Sequence, residues 1–195
     1  MPPFPFHRIA IVGVTGCGKS FLAEQLAQEF SLDFIDLDAL YWKPGWVECQ
    51  EDEFRIKVEA ATRTSRWALA GNYNKVRDII WPRAEAVVWL DYPFFLVFRR
   101  LWKRTFQRWR NQETLWGTNY ERLWPNLKFW SKESLFHWQV QSYRRHKSLY
   151  PQLFASPEYS HLQVFHFKQP TELEQWLNSF NHSASGGLQA ESSQK

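Results

Sequence analysis

A chain of 195 residues with 44% hydrophobic content is long enough for one packed domain with an insertion. Two cysteines, Cys17 and Cys49, exclude a disulfide framework. No stretch reads as a signal peptide or a membrane span, because the most apolar window, Val87 to Phe98, is short and carries Asp91. A soluble cytoplasmic protein in a reducing compartment is therefore expected. The net charge of +4 is uneven: Arg99 to Lys147 holds twelve Lys/Arg against three Glu, a net of +9 that leaves −5 elsewhere. That imbalance predicts an anionic partner or a well-solvated basic face.

The first expected strand, Arg8–Val12, runs into Gly13-Val14-Thr15-Gly16-Cys17-Gly18-Lys19-Ser20, which fits G-x-x-x-x-G-K-[ST] at every fixed position. A helix over Phe21–Phe30 follows. Backbone N–H groups of such a loop curl around phosphate oxygens and Lys19 adds a mobile charge. The Ser20 hydroxyl suits Mg²⁺, and the following helix aims its positive end at the same anion. ATP and Mg²⁺ are the ligands this implies. Next come a strand over Asp33–Leu37, a turn at Lys43-Pro44-Gly45, and a helix with Phe54, Val58 and Ala61 on one face. Strands over Trp67–Ala70 and Ala86–Leu90 follow.

From about Pro93 to Pro157 the chain is far longer than a crossover requires. Its first helix puts Phe98, Trp102, Phe106 and Trp109 on one face. Arg100, Arg104 and Arg108 fall two residues, about 200°, away. A second helix is expected over about Lys132–Lys147, ending near Arg144 and Arg145. Arginines on two helices around a loop suggest a lid over a phosphate site; for any one arginine the alternative is a solvated face. The last strand is expected over His161–Phe167. The last helix opens at Pro170, with a Thr171–Glu174 capping box and a Leu173, Trp176, Leu177, Phe180 stripe. The twelve tryptophans read as packing residues, with base stacking as the sharper alternative.

Strands alternating with helices predict an α/β fold: a P-loop NTPase three-layer sandwich with a five-stranded parallel sheet and an Arg-rich helical lid insertion. One domain is expected over residues 1–180, with 94–157 as the lid and 181–195 as a disordered tail. A GTPase is excluded: the nearest match to N-K-x-D is Asn74-Lys75-Val76-Arg77, and no D-x-x-G switch is present. The remaining layout is that of a small kinase, in which catalysis is positioning, charge neutralisation and water exclusion.

Leu37-Asp-Ala-Leu-Tyr-Trp-Lys-Pro-Gly-Trp46 and Gly71-Asn-Tyr73, with Arg83 ahead of Val87-Val-Trp-Leu-Asp91-Tyr-Pro93 and then Arg100 and Arg104, resemble the adenylate-kinase-like family of DNA topology modulation proteins FlaR. The likeness runs from about Arg8 to Leu177. It implies a kinase that transfers the γ-phosphoryl of MgATP to a nucleotide or other small acceptor. The alternative is a nucleotide-binding regulator or nucleic-acid-associated ATPase. In the kinase reading, Lys19 and the loop amides hold the phosphates. Asp38, rather than Asp36, faces the acceptor or else caps a helix. Asn72 and Tyr73 line the cleft, Arg77 and Arg83 grip an acceptor phosphate, and Arg100, Arg104 and Arg144 or Arg145 clamp the transition state. The family pattern has Asp just before Gly-Asn-Tyr, where it holds a Mg²⁺-bound water; here that position is Ala70. Asp91 ends the next strand and reads as a substitute, but one strand further away. Either another carboxylate serves Mg²⁺ or turnover is weak.

Overall fold

The computed structural model of the chain describes residues 4–117, 119–120 and 135–181. Residues 181–195 were expected to be a disordered tail; all of them after Asn181 lie outside the described residues.

Five parallel strands form the central sheet: β1 (Arg8–Gly13), β2 (Asp33–Asp36), β5 (Trp67–Ala70), β6 (Ala86–Leu90) and β9 (Gln163–Phe167), in the order β2-β5-β1-β6-β9. β1 lies between β5 and β6, with Ile11 opposite Ala70 on one side and Val88 on the other. Every expected strand is present. Alternation along β1 divides the core. Ile9 and Ile11 point to the layer of α1 (Lys19–Phe30) and α7 (Pro170–Asn181). Ala10 and Val12 point to α3 (Glu51–Ala61), α4 (Arg77–Ile80) and α6 (Leu135–Phe154). The first turn of α3, Glu51-Asp52-Glu53, places three carboxylates at the positive end of its dipole.

Four local expectations shift. β2 stops at Asp36, because the Asp36 carboxylate accepts from the Asp38 N–H at 3.0 Å and so caps the short α2 (Leu37–Tyr41). β9 begins at Gln163 rather than His161, whose ring contacts the Trp81 carbonyl at 3.1 Å. α7 begins at Pro170, and Glu172 rather than Glu174 turns back to accept from the N–H groups of Lys168 and Gln169. α6 runs on to Phe154 through Pro151, past the expected end at Lys147. Tyr150 and Phe154 lie on Trp81 and Trp89, and that packing outweighs the backbone hydrogen bond lost at proline.

Two short hairpins were not foreseen. One joins β3 (Trp42–Lys43) to β4 (Val47–Glu48); the other, after α5 (Phe94–Asn111), joins β7 (Thr114–Leu115) to β8 (Asn119–Tyr120). Trp67, Trp81 and Trp89 serve packing, buried in the sheet core, whereas Trp102 and Trp109 on α5 are exposed. No helix among the described residues is long and apolar enough to cross a membrane.

Candidate active site

The loop of residues 13–20 joins the carboxyl end of β1 to the amino end of α1. Gly16 has φ +86°, and a Cβ there would lie 2.7 Å from the Val97 carbonyl oxygen and 3.0 Å from Leu101 Cβ. Glycine is required because α5 lies directly on the loop. Gly18, at φ +98°, precedes α1 without a side-chain cap, and the first turn of α1 holds no acidic residue. Its N–H groups are therefore presented to an anion beside Lys19. The Cys17 thiol is buried, and that burial pushes its pKa up despite Lys19, so it is a neutral core group.

Two carboxylates stand at the end of β2. Asp36 is the register partner of Ala70, and Ala70 packs on the α1 layer. Partners in a parallel pair share a face, so Asp36 presents its carboxylate on the side of the sheet from which α1 rises, one strand beyond the alanine. Burial raises the Asp36 pKa, and the Asp38 charge raises it further. The Asp38 N–H, Lys19 and the indole of Trp116 act in the opposite direction. On motif grounds Asp38, rather than Asp36, is the expected carboxylate of the site. The structure brings both into the cleft with separate partners: the Tyr73 hydroxyl donates to Asp38 Oδ1 at 2.6 Å. Burial and Asp38 raise the Tyr73 pKa far above its ordinary value, so it is a permanent donor.

Asp91 requires a correction. β6 pairs directly with β1, so Asp91 follows a neighbouring strand rather than one further away. Its carboxylate is turned to the other side, where it meets His166 Nε2 at 3.1 Å and Lys147 Nζ at 3.9 Å. Strand alternation explains this, since Asp91 shares the face of Trp89, which packs against α6.

Asn72 and Tyr73 follow β5 at the same end of the sheet. The Asn72 side-chain amide donates to His146 Nε2 of α6 at 3.1 Å, which ties α6 to the end of β5. Arg77 lines a small cavity with Asn72, Tyr73, Trp81 and Tyr150. Its guanidinium lies 5.6 Å over the Trp81 ring, and its Nε is buried without a hydrogen-bond partner. Arg104 lies near the Cys17 thiol, and Arg100 lies 5.5 Å over the Tyr92 ring. Arg144 and Arg145 are both exposed, and the charge of Arg145 acts on His146. Arg83 does not join them. Its guanidinium donates to Thr62 Oγ1 at 2.7 Å and pairs with Glu59, beneath α3, and it precedes β6. That is the amino end of the strands, a full strand length from the loop, so Arg83 braces α3 and cannot grip an acceptor.

Three residues of the site had no motif: Asp36, Trp116 and His146. For Asp36 a signal existed, because Asp-Leu-Asp ends a strand beside the P-loop. For the other two the contacts are long-range.

Burial, then Lys19 and Arg145, hold the His146 pKa down at about 4, against an ordinary 6.5. Below pH 6.5 the unfolded chain therefore binds a proton that the folded one does not. Stability is expected to fall as pH drops towards 4, with His146 contributing about 2–3 kcal/mol of that loss by pH 4.5. Urea midpoints of wild type and His146→Gln at pH 7 and 4.5 measure it: the variant should lose less on acidification.

The glycine loop, the uncapped helix start, Lys19, and the Ser20 and Asp36 oxygens together fit a nucleotide triphosphate with Mg²⁺. Among the described residues no group of three or more His, Cys, Asp or Glu could hold a metal without it. The model of the ATPase family associated with various cellular activities (AAA) matches residues 9–91, from the P-loop strand to Asp91. No curated protein matches the sequence. Among solved structures, a gluconokinase from Sinorhizobium meliloti 1021 has 16% identity and a TM-score of 0.50, over 94% of this chain and 95% of that one. A shikimate kinase from Acinetobacter baumannii, in complex with shikimate, has 18% identity and a TM-score of 0.51, over 93% and 96%. At such identities the likeness is one of fold. This chain has the α/β fold of a P-loop kinase, five parallel strands flanked by helices with the phosphate loop at the end of the central strand.

Proposed function

We propose that the protein is an ATP-dependent kinase of the adenylate-kinase-like class that phosphorylates a hydroxyl or phosphate oxygen of a small acceptor, a nucleotide or another small molecule. One observation carries this reading. The phosphate loop, the Asp36–Asp38 pair with Tyr73, and the Asn72–His146 link to the lid all meet at the carboxyl ends of β1, β2 and β5. Ligands of open parallel sheets bind at that edge. The fold neighbours named above are themselves kinases of small molecules, which agrees with it.

In this reading Lys19 and the first N–H groups of α1 hold the phosphates. Asp38, held by Tyr73, orients the acceptor hydroxyl and takes its proton as the oxygen attacks phosphorus. The new O–P bond forms as the bond to the β-phosphate oxygen breaks, and ADP leaves. Mg²⁺, bound through Ser20 and Asp36, would neutralise phosphate charge. Arg104 stands where charge develops beside the loop, and Arg77, with its free Nε, suits an anionic group on the acceptor.

A panel of nucleoside monophosphates, sugars and hydroxy acids, assayed with labelled ATP, tests the proposal. Acceptor-dependent transfer is expected for at least one class, falling by about 10²- to 10³-fold in Lys19→Ala. Nucleotide binding without transfer to any acceptor would reject it and leave a nucleotide-binding regulator.

A further inference from the structure

On one face of the sheet the helical layer stops short of the edge strand. β6 and β9 pair in register, Val87 with Val164 and Trp89 with His166. On β6 both residues are buried, at 0% and 5% exposure, and Trp89 lies under Tyr150 and Phe154 of α6. On β9, Val164 is 36% exposed and His166 is exposed as well. The opposite face of β9 is covered, since Phe165 and Phe167 pack on Trp176 of α7 with centroids 5.0 and 5.6 Å away. One face of the outermost strand is thus the floor of a groove beside α6.

The groove measures about 460 Å³, within the roughly 300–1,000 Å³ usual for small-molecule sites. Pro151, Phe154 and Val164 give it apolar walls, and Lys147, Lys168 and His166 give it donors. His166 is held as a fixed platform. Its ring stacks on Trp89 with centroids 3.9 Å apart and planes 7° apart, and its Nε2 meets Asp91 Oδ2 at 3.1 Å. Trp89 covers one face of the imidazole, so the other is open to a third ring. The charge balance favours an anion. The mostly buried Asp91 carboxylate is engaged by His166, and Lys147 Nζ stands 3.9 Å from it, beyond hydrogen-bond distance, and 5.1 Å over the Tyr143 ring. Two ammonium groups match the charge of a phosphate monoester as point charges.

We propose that this groove is a second binding site, for a phosphomonoester that carries a planar ring, the chemistry of a nucleoside monophosphate: the ring stacks on His166 and the phosphate lies between Lys147 and Lys168. The site lies on the face of the sheet away from α1. It uses none of the residues given a role in phosphoryl transfer, so it stands or falls apart from the kinase reading.

The test uses the full chain with Lys19→Ala and Arg77→Ala together, which disables the phosphate-loop cleft. Calorimetry in that background should show saturable binding of AMP, with adenosine and ribose 5-phosphate each at least about tenfold weaker. Adding His166→Ala should weaken AMP by about tenfold, whereas His166→Phe keeps a ring on Trp89 and should retain most of the affinity. Lys147→Met and Lys168→Met should each weaken it by about three- to tenfold. No AMP binding in the cleft-disabled chain, or binding that His166→Ala leaves unchanged, would overturn the proposal. Should that background not fold, proton NMR of wild type saturated with the magnesium complex of a non-hydrolysable ATP analogue decides. The His166 ring protons should move upfield with AMP and not with ribose 5-phosphate, and an unmoved ring rejects the site. A 5′-phosphorylated trinucleotide identifies the source. Weaker binding than AMP assigns a free nucleotide, and tighter binding assigns the end of a nucleic-acid strand.

Discussion

Asp38→Asn is expected to lower kcat by about 10²- to 10⁴-fold, the range that a positioned proton acceptor contributes, with nucleotide affinity changed by less than about threefold. The amide oxygen still accepts from the Tyr73 hydroxyl, now 2.6 Å from Asp38 Oδ1, so the local geometry survives while the proton acceptor is lost. Tyr73→Phe leaves the carboxylate but frees its rotation, and a loss of about tenfold is expected, the worth of one charge-assisted hydrogen bond. The two carboxylates are coupled. Asp36 is raised first by burial and second by Asp38. Asp38→Asn removes the second cause, so the Asp36 carboxyl should ionise at lower pH in the variant than in wild type. Single-turnover rates with the accepting substrate and a carbon-13 titration of the Asp36 carboxyl check the two parts. An unchanged rate would remove Asp38 from the chemistry. An unchanged Asp36 titration would mean that the pair is too far apart to interact.

The phosphate loop and the five strands were legible because both are local signals: a fixed spacing of glycines with Lys19, and apolar runs of strand length between helical patterns. Strand order is not local. Nothing between Ala70 and Asp91 tells that β6 lies directly beside β1, and the distance of Asp91 from the loop was misjudged for that reason. Arg77 and Arg83 look alike in sequence, yet one follows a strand and the other precedes one. In a parallel sheet that difference places them at opposite ends, and it was available from the expected strand limits alone. The Trp46–Trp116 and Asn72–His146 contacts join residues about seventy positions apart, and the two small hairpins that present the tryptophans have only two paired residues per strand. No periodicity survives at that length. Their one local trace is a glycine beside each tryptophan, which marks a turn without saying what it meets.

Gly16→Ala should damage both the stability of the chain and its hold on nucleotide. Two costs add. A residue with a Cβ at φ +86° carries about 1–2 kcal/mol of left-handed strain. The new Cβ also lies 2.7 Å from the Val97 carbonyl oxygen and 3.0 Å from Leu101 Cβ, and overpacking of this kind costs about 1–3 kcal/mol. The clash is with the backbone of an eighteen-residue helix, which cannot rotate away as a side-chain tip would. A total of about 2–5 kcal/mol should lower Tm by roughly 4–20 °C in a chain of this size. Relief comes only if α5 moves off the loop, and that movement carries Arg104, one turn beyond Leu101, away from Cys17 and Lys19. Nucleotide affinity should therefore fall along with stability. Gly18→Ala is the internal control. Its φ is +98°, but a Cβ there meets nothing within 4 Å, so strain alone acts and about 1–2 kcal/mol is expected. Calorimetric melting of both variants without nucleotide decides the matter. Equal Tm losses would mean that α5 does not rest on the phosphate loop, and the proposed role of Arg104 beside the loop would then lose its support.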